Sequence, residues 1–134
     1  MLPDTWSLAV DDETGVLVIT IGSIEDFDTF VQNLTALDQS PVNRNSNKKL
    51  YDLRLLSPSR SLSSSEIRLL SSFSKRHPRS GLKSAYVANH DVHYGLLRMF
   101  EMITERPGIE RRVFRDYDEA WDWLLTPEPP AVLD

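Results

Sequence analysis

Two stretches of the chain gather side chains able to act on a ligand or to be acted upon. The first is Asn89-His90-Asp91-Val92-His93, which sets two imidazoles and a carboxylate within five residues. His90 and His93 stand three apart across a predicted helix start, and no second helix offers an obvious third ligand, which does not build a metal shell. Asp91 therefore reads as a helix N-cap and the histidines as its exposed neighbours. The second stretch is the serine-rich segment 57–65. A phosphate on Ser57, Ser59 or Ser61 would add about two negative charges. It would sit close to Arg54, Arg60 and Arg68, and to a helix start that favours anions. Those three arginines are the candidate docking groups for an anion or a partner.

Residue type excludes much other chemistry. The chain has no cysteine, which removes disulfides, thiolate metal sites and thiol nucleophiles. No Gly-x-Ser-x-Gly elbow occurs, and the five glycines are scattered without a Walker loop or a dinucleotide fingerprint. The expectation is a non-enzymatic chain with no cofactor and no metal. A net charge of -5 argues against nucleic acid, yet it hides a segregation. Residues 42–83 hold ten basic and two acidic side chains, a block of +8, with -8 before it and -5 after it. Such a block complements the rest of the fold, or it meets an acidic protein partner, a phosphate or a membrane surface. No apolar run approaches the roughly 18 residues that cross a bilayer, and residues 1–10 lack a basic leader pattern. The reading is a cytoplasmic chain with no transmembrane segment.

The elements that must position these residues follow from periodicity and caps. Residues 6–10 and 15–21 are β-rich runs around the polar turn Asp11-Asp12-Glu13-Thr14-Gly15, which predicts a hairpin. Ser23, three residues before Asp26, caps a helix carrying Phe27, Phe30, Val31, Leu34 and Leu37 on one face and ending near Asp38. Residues 42–47 read as a loop and 49–56 as a strand. Ser63 and Glu66 form a capping box that opens a helix with the stripe Ile67, Leu70 and Phe73. That helix ends on the cationic turn Lys75-Arg76-His77-Pro78. Residues 83–89 have the small, apolar character of an interior strand.

From Asp91 a third long helix buries Leu96, Met99, Phe100 and Ile103 and stops at Pro107-Gly108. Gly95 inside it costs about 1 kcal/mol relative to alanine, which close packing against the sheet would explain. A short strand at 112–115 precedes a last helix, capped by Asp116 with Glu119 and packed through Tyr117, Ala120, Trp121 and Leu124. Residues 1–125 thus form the domain and the proline-bearing 126–134 a tail. The order β-β-α-β-α-β-α-β-α predicts a single-domain α/β fold, a mixed and mostly parallel sheet with about four helices.

Three segments, in this order and spacing, resemble the STAS domains and more closely their SpoIIAA-like branch, related in shape to the lipid-binding SEC14 fold. They are Leu50-Tyr51-Asp52-Leu53-Arg54, then Ala85-Tyr86-Val87-Ala88-Asn89 leading to residues 94–100, and the ending at residues 113–124. The resemblance covers nearly the whole chain. It implies a mixed sheet with helices and a regulatory or binding role. STAS members that antagonise anti-sigma factors carry a phosphorylated serine in an Asp-Ser-Ser-Gly stretch between the third strand and the next helix. Here that place reads Ser57-Pro58-Ser59-Arg60-Ser61-Leu62-Ser63, without that Asp and Gly; Ser61 is the nearest match and Ser59 the next.

Two functions are therefore expected. One is a regulatory module that binds a protein partner through the basic middle. The other is a binder of a small apolar or lipid-like ligand, held between the sheet and the last two long helices, whose apolar side chains exceed what one buried face needs. His90, His93, Tyr94, Leu97, Met102 and Trp123 are its candidate pocket residues, near the carboxyl end of a strand where open α/β sheets place ligands. The same surplus would also serve as the face of a homodimer.

Overall fold

The first turn is set by Asp11 and Gly15. The Asp11 carboxylate accepts hydrogen bonds from the Thr14 backbone N–H at 3.0 Å and the Thr14 hydroxyl at 2.5 Å. Gly15 has a φ of 75°, which glycine adopts without steric cost. The turn folds β1 (Trp6–Val10) antiparallel onto β2 (Leu17–Ile21), pairing Trp6 with Ile21 and Val10 with Leu17. There follow α1 (Phe27–Gln39), α2 (Pro41–Arg44), β3 (Lys48–Asp52), α3 (Ser64–Lys75), β4 (Leu82–Val87), α4 (Asp91–Ile103), β5 (Ile109–Phe114) and α5 (Tyr117–Leu125). The computed structural model describes residues 2–59, 62–75, 81–105 and 107–127, with residues 73–75 by backbone alone. Among them no helix is long and apolar enough to cross a membrane.

The five strands form one sheet in the order β1-β2-β3-β4-β5, antiparallel at the first pair and parallel at the other three. This is the mixed, mostly parallel sheet of a single α/β domain. Every parallel connection steps to the next neighbour, so right-handed crossovers carry α1, α3 and α4 to the same face. Packing agrees with that rule. Phe30 and Leu37 of α1, Ile67 and Leu70 of α3, and Leu96, Met99 and Phe100 of α4 join Ile19, Ile21 and Leu53 in one core. Among the described residues no strand follows α5, which takes the other face, burying Ala120 and Leu124 against Leu50, Ala85 and Val87.

The two faces differ in side-chain bulk. Small residues on the α5 side let that helix lie close on β3, β4 and β5. On the other side the central strands present Lys49, Tyr51, Ser84, Tyr86 and Arg111. There α1 and α3 make no comparably close backbone approach to any strand.

Several local expectations shift. The N-cap of α1 is Asp26, whose carboxylate accepts from the Thr29 N–H at 2.8 Å. Ser23 is occupied elsewhere: its hydroxyl pairs with that of Thr5 at 2.5 Å and its carbonyl accepts from Trp6 Nε1 at 3.0 Å. The predicted loop at 42–47 opens as the short helix α2, with Pro41 in its first turn. The third strand ends at Asp52 because its carboxylate accepts from the Arg54 N–H at 3.1 Å, turning the backbone out of the sheet. His90, not Asp91, is the N-cap of α4. Asp91 instead receives Arg115 Nη1 at 2.6 Å. Two cap patterns stand as read. The Ser63 N–H donates to Glu66 at 2.8 Å while the Glu66 N–H donates to Ser63 Oγ at 3.1 Å, and the Glu119 N–H donates to Asp116 at 3.0 Å. The side chain of Phe73, the helix end at residues 76–78 and the tail beyond residue 127 lie outside the described residues.

Gly95 is not held by close packing: a Cβ there meets nothing within 4 Å. Gly22 is the glycine that is. Its N–H donates to the Thr5 carbonyl at 2.9 Å, and a Cβ would press on that same backbone oxygen. Gly22→Ala is expected to destabilise the protein by about 1–3 kcal/mol. Gly95→Ala is expected to stabilise it by about 0.5–1 kcal/mol through helix propensity. Urea midpoints of the two variants against the parent chain check both signs.

Candidate functional site

Between the sheet and the three crossover helices lies a cavity of about 210 Å³. Its floor is built by strand register. Lys49 of β3, Ser84 of β4 and Arg111 of β5 are direct cross-strand partners and form one row; Tyr51 and Tyr86 are partners in the next row toward the strand ends. Period-two alternation turns all five to the helix-covered face. The walls are apolar: Phe30 and Leu34 from α1, Ile67 and Leu70 from α3, Leu96, Leu97 and Phe100 from α4. Asp38, near the end of α1, and His93, in the first turn of α4, complete the polar part of the lining.

The polar floor is tightly organised. Tyr51 and Tyr86 stack with ring centroids 4.8 Å apart and 9° between planes, and Phe100 meets Tyr86 edge-on at 6.1 Å. Burial pushes the Tyr51 phenol far above its ordinary range, with the Tyr86 charge adding to it and Arg111 opposing it. Burial also raises Tyr86, against the Arg111 charge and hydrogen bonds with Arg111 and Ser84. Both phenols therefore stay protonated and able to donate. Arg111 lies over the Phe100 ring at 5.5 Å and donates to the Thr104 carbonyl at 3.1 Å, which fixes its plane. Lys49 is only 6% exposed.

The structure brings some of the sequence-predicted pocket residues together and separates others. His93 and Leu97 line the cavity. His93 is 4% exposed, which corrects the expectation of an exposed histidine; the first turn of α4 points it inward. His90 packs edge-on against it at 5.8 Å. Tyr94 lies beneath Arg115, 4.2 Å from the guanidinium, and does not line the cavity. Met102 is 68% exposed. Trp123 belongs to the opposite face, against Phe114 at 5.7 Å and under Lys83 Nζ at 4.5 Å. The space thus lies beneath α4 together with α1 and α3, and α5 has no part in it. Sequence reasoning missed Lys49, Ser84 and Arg111, although polar residues at alternate positions of strands that crossover helices must cover were a readable signal.

The other candidate cluster is described only in part. Ser57 and Ser59 are exposed in the loop after β3, with their hydroxyls 2.8 Å apart. Arg68 is exposed on α3, while Arg60 and Ser61 lie outside the described residues. Arg54 faces the α5 side, where it forks onto Asp52 with both contacts at 2.9 Å and lies 4.5 Å over the Tyr117 ring. Among the described residues no group of three or more His, Asp or Glu is arranged to hold a metal ion.

No family model, no curated protein and no solved structure matches this chain.

The Asp52–Arg54 fork sets a pH dependence. Burial raises the Asp52 carboxyl, and hydrogen bonds from the Arg54 side chain and backbone more than reverse this, holding it below its ordinary value. A carboxylate lowered on folding contributes stability above the unfolded pKa of about 3.9 and loses it as pH falls through the folded value. Asp52→Asn is expected to cost about 1–2 kcal/mol at neutral pH, because the arginine half of the pair faces solvent. The gap to the parent chain should close on acidification. Denaturant midpoints measured from neutral to strongly acid pH check the sign; a constant gap would overturn this assignment.

Proposed function

We propose that this protein is a non-enzymatic binding module that takes up one small, largely apolar ligand between its sheet and its three crossover helices. The cavity carries the reading. It opens about 210 Å³ between the sheet and the helices, bounded on most sides by Leu, Ile and Phe side chains. Protein interiors otherwise close such gaps to crystal-like density. Apolar cavities of this order take up apolar guests. The STAS and SpoIIAA-like resemblance, with its relation to lipid-binding SEC14 proteins, supports the same reading, as does the mixed five-stranded sheet. In it the protein works in the cytoplasm.

A regulatory role exerted on a protein partner is the second reading. Its observation is the pair of exposed hydroxyls, Ser57 and Ser59, in the loop that leads to α3. It calls for phosphate on this loop in protein taken from its source, which phosphopeptide mass spectrometry reads directly.

For the first reading, native mass spectrometry of the full chain offered octanol and octanoate is expected to show a one-to-one adduct. Leu97→Trp, which fills the cavity from α4, is expected to abolish the adduct while circular dichroism stays unchanged. A parent chain that keeps its bare mass would overturn the proposal.

A further inference from the structure

The two tyrosines of the cavity floor are not equivalent. Tyr86 is held by its own sheet: its hydroxyl shares hydrogen bonds with Arg111 and Ser84. Tyr51 stacks on the Tyr86 ring and lines the same space, yet among the described residues no group hydrogen-bonds its hydroxyl. Side chains stand roughly perpendicular to a sheet, so the Tyr51 ring carries that hydroxyl off the floor toward the apolar walls supplied by α1, α3 and α4. The phenol keeps its proton there, because burial pushes its pKa far up. A protonated phenol among hydrocarbon walls has a hydrogen bond to give, and leaving it ungiven costs free energy.

The ionisable groups of the lining set the other half of the recognition. Asp38, Lys49, His93 and Arg111 already have partners within the protein, Arg111 on the Thr104 carbonyl and over the Phe100 ring. A charged ligand would have to draw one of them from its partner while losing its own water. A neutral ligand leaves them in place. What remains to be met is the Tyr51 hydroxyl, by an oxygen that accepts without bringing a donor of its own. An added O–H or N–H would need an acceptor that the Leu, Ile and Phe side chains of the walls cannot supply. A carbonyl fits this requirement better than a hydroxyl, an amine or a carboxylate.

We propose that the ligand is a neutral carbonyl compound, a small ketone, aldehyde or ester, whose oxygen accepts a hydrogen bond from the Tyr51 hydroxyl while its hydrocarbon part lies among Phe30, Leu34, Ile67 and Leu97. The proposal rests on the cavity reading and names the ligand class for that site. At about 30 Å³ for each water-sized group the space of 210 Å³ holds about seven, the size of one aromatic ring with a short substituent.

Acetophenone and ethylbenzene share one skeleton and differ at the carbonyl, so calorimetric titration of the full chain with each isolates the oxygen. In Tyr51→Phe, which keeps the ring and its stack on Tyr86, acetophenone is expected to bind about tenfold weaker and ethylbenzene to stay within about twofold of the parent. The carbonyl stretch of acetophenone bound to the parent chain, expected below its value in hexane, reads the hydrogen bond with no variant and decides the matter even if Tyr51→Phe fails to fold. A stretch at the hexane position, binding of ethylbenzene alone, or no selective loss of acetophenone in Tyr51→Phe would overturn the carbonyl assignment and leave the apolar cavity standing. If neither probe binds the parent chain, the cavity reading falls and the carbonyl assignment with it.

Discussion

Tyr51 and Tyr86 stack because the sheet leaves them no alternative. They are direct partners on neighbouring parallel strands, and their ring separation of 4.8 Å is the spacing of the strands themselves. Two aromatic rings standing face to face at the centre of a sheet form a rigid post. Phe100 of α4 leans on it edge-on, and Arg111 closes over Phe100 from the next strand. The helices on this side must pack over that post, and α1 and α3 stand off the strands accordingly. The cavity is the space so created. On the reverse face the same two strands present Ala85 and Val87, and α5 comes down close with Ala120 buried completely.

This asymmetry also resolves the segregation of charge along the chain. Three described cations of the basic middle block take separate places in the fold. Lys49 goes to the cavity floor, while Arg54 and Lys83 go to the α5 face. Lys83 donates to the carbonyls of Trp123 at 2.6 Å and Thr126 at 3.1 Å, neutralising the negative end of the α5 dipole and capping groups the helix cannot satisfy itself. Arg54 is held by Asp52 from its own strand end and by the Tyr117 ring at the start of α5. Two of the cations segregated in sequence, Arg54 and Lys83, thus become partners of the fold's own dipoles, carboxylates and rings.

What was legible in the sequence was local. The capping box of Ser63 and Glu66, the cap of Asp116 on Glu119 and the turn at Gly15 are decided within four residues and stand as read. The mixed, mostly parallel sheet also followed, because a hairpin and then strand–helix alternation leave few arrangements; the order of the strands across it did not. Ser23 misled because a hydroxyl three residues before a carboxylate satisfies the same pattern as a true cap. Only the hairpin's return past Thr5 and Trp6 assigns that hydroxyl and carbonyl elsewhere. His93 misled for a related reason: its burial depends on which way the first turn of α4 faces, not on its neighbours in sequence. The cavity floor was least legible, since it joins residues 49, 84 and 111 through register that no short window contains.

The division between the faces has an energetic logic. A cavity is a packing defect, and a small domain with net stability of about 5–15 kcal/mol needs the rest of its core well packed. Here the density lies under α5, where Val16, Leu50, Ala85, Val87, Ala120 and Leu124 are all fully buried and contain no polar side chain. On the cavity side, burial is shared with Tyr51, Tyr86 and Lys49, and with Arg111, which donates to the Thr104 carbonyl. Because α5 and the central strands hold the sheet from behind, the Lys49–Ser84–Arg111 row keeps its spacing whatever the covering helices do.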